Sequence, residues 1–256
     1  MPDQDPLLEP TRLVDFQSPS IAKLIQDHGW ADLDEHERIG AVYDFVRNEI
    51  AFGYNREDDI PASEVLEDGY GQCNTKGTLL MALLRGVDIR CRFHGFAIHK
   101  ELQRGVVPEL VYPVAPKEIL HSWVEVETER GWVNLEGFIL DQSFLKVLQS
   151  SFSSSDSLCG YGAGTESLST PPVTWTGDDT YIQKTGIARD YGTFDTPDAF
   201  FGQHRQALGV VREFLYRHVI RHWMNARVRS IRAGHVPAIP GFAKPNHRHQ
   251  DTSHAA

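Results

Sequence analysis

The sequence predicts an α+β fold in which N-terminal helices pack on an antiparallel sheet and a helical extension follows at the C-terminal end. Three observations carry that prediction. Apolar residues recur at helical spacing before residue 86, alternate with polar or small ones between residues 89 and 138, and return to helical spacing after residue 198. With 256 residues, 41% of them hydrophobic, the chain can bury one sizeable core.

Prolines at positions 2, 6 and 10 oppose helix, so residues 1–18 read as a mobile or strand-like leader. A helix is expected from Pro19 to Gly29, with Ile21, Leu24 and Ile25 on one face. The next begins at Asp34, which can cap, with Glu37 three positions on. Ile39, Val42, Tyr43, Phe45, Val46 and Ile50 then form its core face. Arg56, Glu57, Asp58 and Asp59 make a charged, solvated connector to a short helix over 60–66 that Gly69 closes.

After a glycine-containing turn, Cys73 opens the run Thr78-Leu79-Leu80-Met81-Ala82-Leu83-Leu84, which reads as a buried helix ending near Gly86. Residues 89–98 alternate as a strand, with Cys91 on the core side and His94 and His99 as surface histidines. Prolines at 108, 113 and 116 make residues 100–119 a loop that can shape a substrate groove, with a short strand conceivable at Leu110-Val111-Tyr112. Two alternating runs around Glu129-Arg130-Gly131 read as an antiparallel hairpin in which residues 121 and 138 come opposite, so Glu136 falls within reach of His121. Trp123 and Trp132 read as hairpin packing. Asp141 caps a following helix.

The organisation expected from this pass is a core over residues 1–148, then a Ser/Gly-rich and irregular segment over 149–197 packed on or over it. A helical extension over 198–236 and a disordered tail over 237–256 complete it. In the extension Phe200, Phe201, Leu208, Val211, Phe214, Leu215, Val219 and Trp223 make one apolar side, while Arg205, Arg212, Arg217, Arg221, Arg227, Arg229 and Arg232 make the other basic. That basic face suits an acidic surface, the chain's own or a partner's.

A cysteine in the first turn of a helix meets unpaired backbone N–H groups and the positive end of the helix dipole, which stabilise a thiolate and offer donors to an oxyanion. Gln72 precedes it, either as a second oxyanion donor or as an exposed turn residue. Together, Gly71-Gln72-Cys73, His121-Ser122-Trp123-Val124-Glu125-Val126, and Gly131-Trp132 followed by Glu136 resemble the transglutaminase-like superfamily, the bacterial-type branch of papain-related cysteine enzymes. Its pattern has a cysteine in a Gly-x-Cys turn, a His-x-Trp-x-Glu-Val strand, and an acid four residues past the tryptophan of a Gly-Trp. The resemblance spans residues 39–144 and implies a papain-like, transglutaminase-core fold with Cys73, His121 and Glu136 as the catalytic triad. The family usually has aspartate where this chain has Glu136, which leaves Asn134 and Asp141 as alternative orienters of His121.

The activity implied is cysteine-dependent acyl transfer on amide bonds, by hydrolysis through a thioester. The alternatives are transglutaminase-type amine transfer and a binding or scaffold module that keeps the fold without turnover. The expected partner is a peptide or other amide-containing substrate, with no cofactor and no metal. A net charge of −10 argues against nucleic acid as a partner. Three cysteines, Cys73, Cys91 and Cys159, are too few and odd in number for a disulfide framework. With an acidic, proline-broken N-terminus and no membrane-length apolar run, the expectation is a soluble cytoplasmic protein that engages no membrane.

Overall fold

The apolar run after Cys73 becomes the axis around which the chain packs. The structure, a computed structural model, describes residues 5–206, 209–240 and 245. Its helices are α1 (Pro19–His28), α2 (Glu35–Asn48), α3 (Ala62–Asp68), α4 (Cys73–Gly86), α5 (Gln142–Ser151), α6 (Pro197–Gln203), α7 (Val210–Leu215) and α8 (Arg221–Arg232). Its strands are β1 (Ala51–Phe52), β2 (Tyr70–Gly71), β3 (Cys91–His99), β4 (Glu118–Thr128), β5 (Gly131–Leu135), β6 (Leu158–Gly160), β7 (Ala163–Thr165) and β8 (Ile187–Phe194). The main sheet is antiparallel in the order β5-β4-β3-β8.

Local signals set the helices. Ser18 and the left-handed Gly29 bound α1, the Asp34 side chain accepts from the Glu37 N–H at the start of α2, and Gly69 ends α3 at a positive φ that favours glycine. Every residue of α4 from Cys73 to Arg85 is buried, between α1, α2 and α3 on one side and β3 and β4 on the other. Burial includes two cations, each of which finds backbone acceptors. Lys76 Nζ donates to the carbonyls of Arg47 and Ile139, both at 3.2 Å. Arg85 donates to the carbonyls of Glu9 at 2.7 Å, Cys91 at 3.1 Å and Asp195 at 2.5 Å, so α4 gathers three separate stretches of chain. Loss of hydration pulls the Lys76 ammonium down to about 7.

The hairpin forms as its pattern predicts, with Val124 opposite Leu135 and Glu125 opposite Asn134. Cys91 is fully buried. His94 departs from expectation: Nδ1 lies 2.5 Å from Glu125 and Nε2 2.9 Å from Asp190, so the ring is an ionic link between strands rather than a surface histidine. Burial opposes its protonation, and the two carboxylates outweigh burial and raise its pKa. Leu110-Val111-Tyr112 is not a strand. It runs into a 3-10 turn at Tyr112–Val114, with Leu110 85% exposed, because Pro108 and Pro113 remove ladder donors.

The leader is neither strand-like nor loose over its described part, since Leu13 and Val14 are fully buried and Asp198 accepts from the Leu13 N–H. The segment 149–197 was expected to be irregular, yet it supplies β8 to the main sheet and a small β6–β7 hairpin. β8 reads poorly from sequence because it is an edge strand carrying Arg189, Asp190 and Gly192, and it pairs with β3 through two register shifts.

The extension is a broken helix. Chain leaves α6 at Gln203, resumes as α7, passes through a π-helical turn at Tyr216–Ile220 and continues as α8. Phe200 and Phe201 are buried as expected, but Val210, Val211, Phe214, Val219 and Trp223 face solvent, with Val210 85% exposed. Part of the basic side faces inward instead. Arg217 pairs with Glu57 at 2.6 Å and Arg232 with Asp141 at 2.5 Å. Leu208 and the tail beyond residue 245 lie outside the described residues.

α6 is locked to the sheet by a ring on a bare backbone. The Phe200 ring lies where a methyl on Gly95 would be, and Phe200 is fully buried. Gly95→Ala should therefore lower stability by about 1–3 kcal/mol through overpacking. Urea denaturation checks this, and an unchanged midpoint would mean the ring can swing clear.

Candidate active site

β4 starts beside the tip of α4, and Asn74 joins the two. Its Nδ2 donates to the Leu120 carbonyl at 3.1 Å, and its Oδ1 accepts from the Ser122 hydroxyl at 2.9 Å. These bonds bracket His121, whose side chain is completely buried. The His121 Nε2–H donates to Glu136 Oε1 at 3.2 Å, which leaves Nδ1, otherwise without a partner among the described residues, available to Cys73. Cys73 is the first residue of α4, 9% exposed, and opens on a cavity of about 450 Å³.

Glu136 is held from its far side. Oε2 accepts from the backbone N–H groups of Ile182 at 2.6 Å and Gln183 at 2.9 Å. The Glu136 N–H in turn donates to Thr180. The extra methylene relative to aspartate is taken up by this clamp, which comes from chain outside the region of resemblance. The two alternative orienters are engaged elsewhere. Asn134 Nδ2 donates to Asp179 at 3.1 Å, while Asp141 caps α5 through the Phe144 N–H at 2.9 Å and binds Arg232.

Gln72 is buried and pinned, not an exposed turn residue. Its Oε1 accepts from the Asn55 N–H at 3.1 Å, and its Nε2 donates to Asp58 Oδ1 at 2.9 Å. One amide N–H of Gln72 therefore goes to Asp58, and the amide carries a second. Asp58, expected in a solvated connector, is thus part of the site wall. Trp123 packs in the hairpin against Phe96 at 3.9 Å, its ring 6.4 Å from that of His121. The loop over 100–119 contributes Gln103, Val107, Val111 and Ile119 to the cavity, and the C-terminal extension contributes Leu215, Tyr216 and Ile220. Cys159 lies on β6, exposed and with its pKa raised, chiefly by burial of the sulfur. Asn74, Asp58 and the 182–183 backbone are the members that sequence reasoning missed.

Burial alone would lower the pKa of the His121 imidazolium, but the nearby Cys73 and the Glu136 carboxylate hold it up at about 9. That lies above the 6.5 of an ordinary imidazole. The resulting stabilisation is fully present below about pH 6.5 and is lost as pH rises through about 9. Heat-denaturation midpoints of the wild-type chain should therefore fall across that window more steeply than those of His121→Asn. Equal slopes in the two proteins would show that the imidazole is not held charged.

Residues 23–137 match the family model described as the transglutaminase-like superfamily, a span that ends one residue past Glu136. The matched residues contain the helices α2 to α4 and the strands β3, β4 and β5 of the mixed helix and antiparallel sheet described above. No curated protein matches the chain. Among solved structures, it is similar to one from Cytophaga hutchinsonii described as a "Putative Cysteine Protease", at 14% identity and a TM-score of 0.40. The alignment covers 78% of this chain and 51% of that one, so this chain spans about half the length of that protein.

Proposed function

We propose that the chain, whose residues 23–137 match the transglutaminase-like superfamily model, is a cysteine-dependent acyl-transfer enzyme that hydrolyses amide bonds through a thioester, with Cys73 as nucleophile, His121 as acid–base and Glu136 as orienter. The observation that carries this reading is a fully buried imidazole held by Glu136 through Nε2, with Cys73 near enough to raise its pKa and itself lining a cavity.

In the first step the thiolate of Cys73 attacks the carbonyl carbon and a C–S bond forms. The oxygen of the tetrahedral intermediate takes up the electron pair of the carbonyl π bond. The backbone N–H of Cys73 and the second amide N–H of Gln72 stabilise that oxyanion; one such donor typically contributes about 10²-fold or more in rate. Collapse breaks the C–N bond, and the amine leaves with the proton that His121 Nδ1 gives it. Water then attacks the thioester, His121 takes one of its protons and the C–S bond breaks, which releases the carboxylic acid, ionised in turn to solvent, and regenerates the thiolate–imidazolium pair. An amine in place of water would give transamidation. Glu136, anchored by two backbone N–H groups, keeps Nε2 protonated and Nδ1 facing the sulfur throughout.

Thiol labelling tests the reading. Cys91 is sealed in the core, where burial pushes its thiol up to about 11, and Cys159 is exposed, with burial of its sulfur and Glu101 both raising its pKa. Intact-mass analysis with iodoacetamide near neutral pH should show Cys73 modified first despite its small exposure. Labelling of Cys159 ahead of Cys73 would favour the non-catalytic scaffold.

A further inference from the structure

One carboxylate on the cavity wall has no part in that chemistry. Asp58 lines the cavity together with the two residues that flank Cys73, and it accepts from Gln72 Nε2 at 2.9 Å. Its acidic neighbours are committed: Glu57 to Arg56 and Arg217, and Asp59 to Arg12 at 3.7 Å. Among the described residues, no ion pair includes Asp58.

The cations lining the cavity do not supply the missing charge. Arg56 is held by Glu57 and Glu64, Arg217 by Glu57 and Glu213, and Arg205 and Arg212 are exposed. Two phenol rings share the wall. Tyr216 lies within electrostatic reach of both Asp58 and Cys73, and Tyr54 within reach of Cys73 and Tyr216. Loss of hydration raises the Asp58 carboxyl above its ordinary range, against the Gln72 amide donor. A partly buried carboxylate on a cavity wall, without a counter-charge among the described residues, is what a small organic cation satisfies. The lining also carries apolar residues, Val107, Val111, Ile119, Leu120, Ile220 and Met224.

We propose that Asp58 is a specificity-determining residue that seats a primary ammonium group of the substrate next to the Cys73 sulfur, with Tyr54 and Tyr216 beside it and an apolar portion of the substrate against the apolar lining. This rests on Cys73 being the nucleophile. The ammonium comes from one of two sources, the amino group of the acyl donor itself or an amine that accepts the acyl group.

The test compares alkylation of the full chain by 2-bromoethylamine, which carries an ammonium, with alkylation by neutral iodoacetamide. In both, a S–C bond forms at Cys73 and halide leaves. The ratio of the two rates cancels any change in thiol reactivity that follows from disturbing Gln72. Asp58→Asn should lower that ratio about tenfold or more, whereas Asp59→Asn, which removes the same formal charge nearby, should leave it within about twofold. In the wild-type chain n-butylammonium should also protect Cys73 from iodoacetamide saturably, a readout that needs no variant.

An unchanged ratio in Asp58→Asn, or an equal drop in Asp59→Asn, overturns the proposal while leaving the nucleophile intact. Failure of iodoacetamide to select Cys73 at all removes the functional reading first. The source is decided with p-nitrophenyl esters. Faster acylation by the glycine ester than by the acetate ester, lost in Asp58→Asn, assigns the ammonium to the donor. In acyl transfer to n-butylamine the seated ammonium gives one proton to Asp58, the C–N bond forms as the C–S bond breaks, and His121 takes the second proton. Saturable conversion of the acetyl-enzyme to N-butylacetamide by n-butylamine, lost in the same variant, assigns it to the acceptor.

Discussion

Glu136→Gln is expected to slow alkylation of Cys73 at pH 6 by about 10²-fold, and to do at least as much damage as Glu136→Ala. The reason lies in the two sides of the carboxylate. Oε2 accepts from Ile182 and Gln183, and Oε1 accepts from His121. A glutamine has one oxygen for these two duties. Two backbone donors hold that oxygen on the 182–183 side, so the NH₂ turns to His121 Nε2. A donor there requires Nε2 to become an acceptor, and the ring must then carry its neutral-state proton on Nδ1, facing the sulfur. Such a ring neither holds a thiolate nor accepts a proton from water. Glu136→Ala leaves the ring free to choose its tautomer and is the proper reference. The pseudo-first-order rate with iodoacetamide, followed by intact mass, checks the order. A glutamine variant within about threefold of wild type would show that Glu136 acts only by shape.

Cys73→Ser and Cys73→Ala should each reduce turnover of a p-nitrophenyl ester to the solvent background, a loss of about 10³-fold or more. Serine fills nearly the same volume at the tip of α4, so the fold around Asn74 is kept and the comparison reports chemistry rather than packing. A hydroxyl is far less acidic than a thiol, and an imidazolium beside it cannot hold it as an anion. Burst analysis separates the steps. The wild-type chain should release p-nitrophenol in a stoichiometric burst as the acetyl thioester accumulates, and the serine variant should show none. Retained turnover in Cys73→Ala would assign the activity to another group and end the mechanism.

The contrast between helix α4 and strand β8 shows where the sequence could be read. α4 was legible because its determinants are neighbours: a turn, a cysteine, then an apolar run long enough for a buried helix and bounded at Gly86. β8 was not, because Ile187–Phe194 shows little alternation and becomes a strand only where the open edge of β3 offers it hydrogen bonds. The C-terminal helices misled for a related reason. Their pattern of apolar and basic sides reads as amphipathic, but which side turns inward depends on Glu57 and Asp141, which stand far away in sequence.

The amino-acid order by itself determined the α+β class, the caps of the early helices, the hairpin register, and the positions and spacing of Cys73, His121 and Glu136. All of these are written within windows of a few residues, where side-chain caps, periodicity and turn geometry act. Only the tertiary structure decided that the 182–183 backbone grips Glu136, that Asn74 ties α4 to β4, that Asp58 stands on the cavity wall without a counter-charge among the described residues, and that Lys76 and Arg85 run through the core. Each of these pairs a polar group with a partner remote in the chain, and such pairings arise only because burial removes water and leaves the group no other way to satisfy its hydrogen bonds.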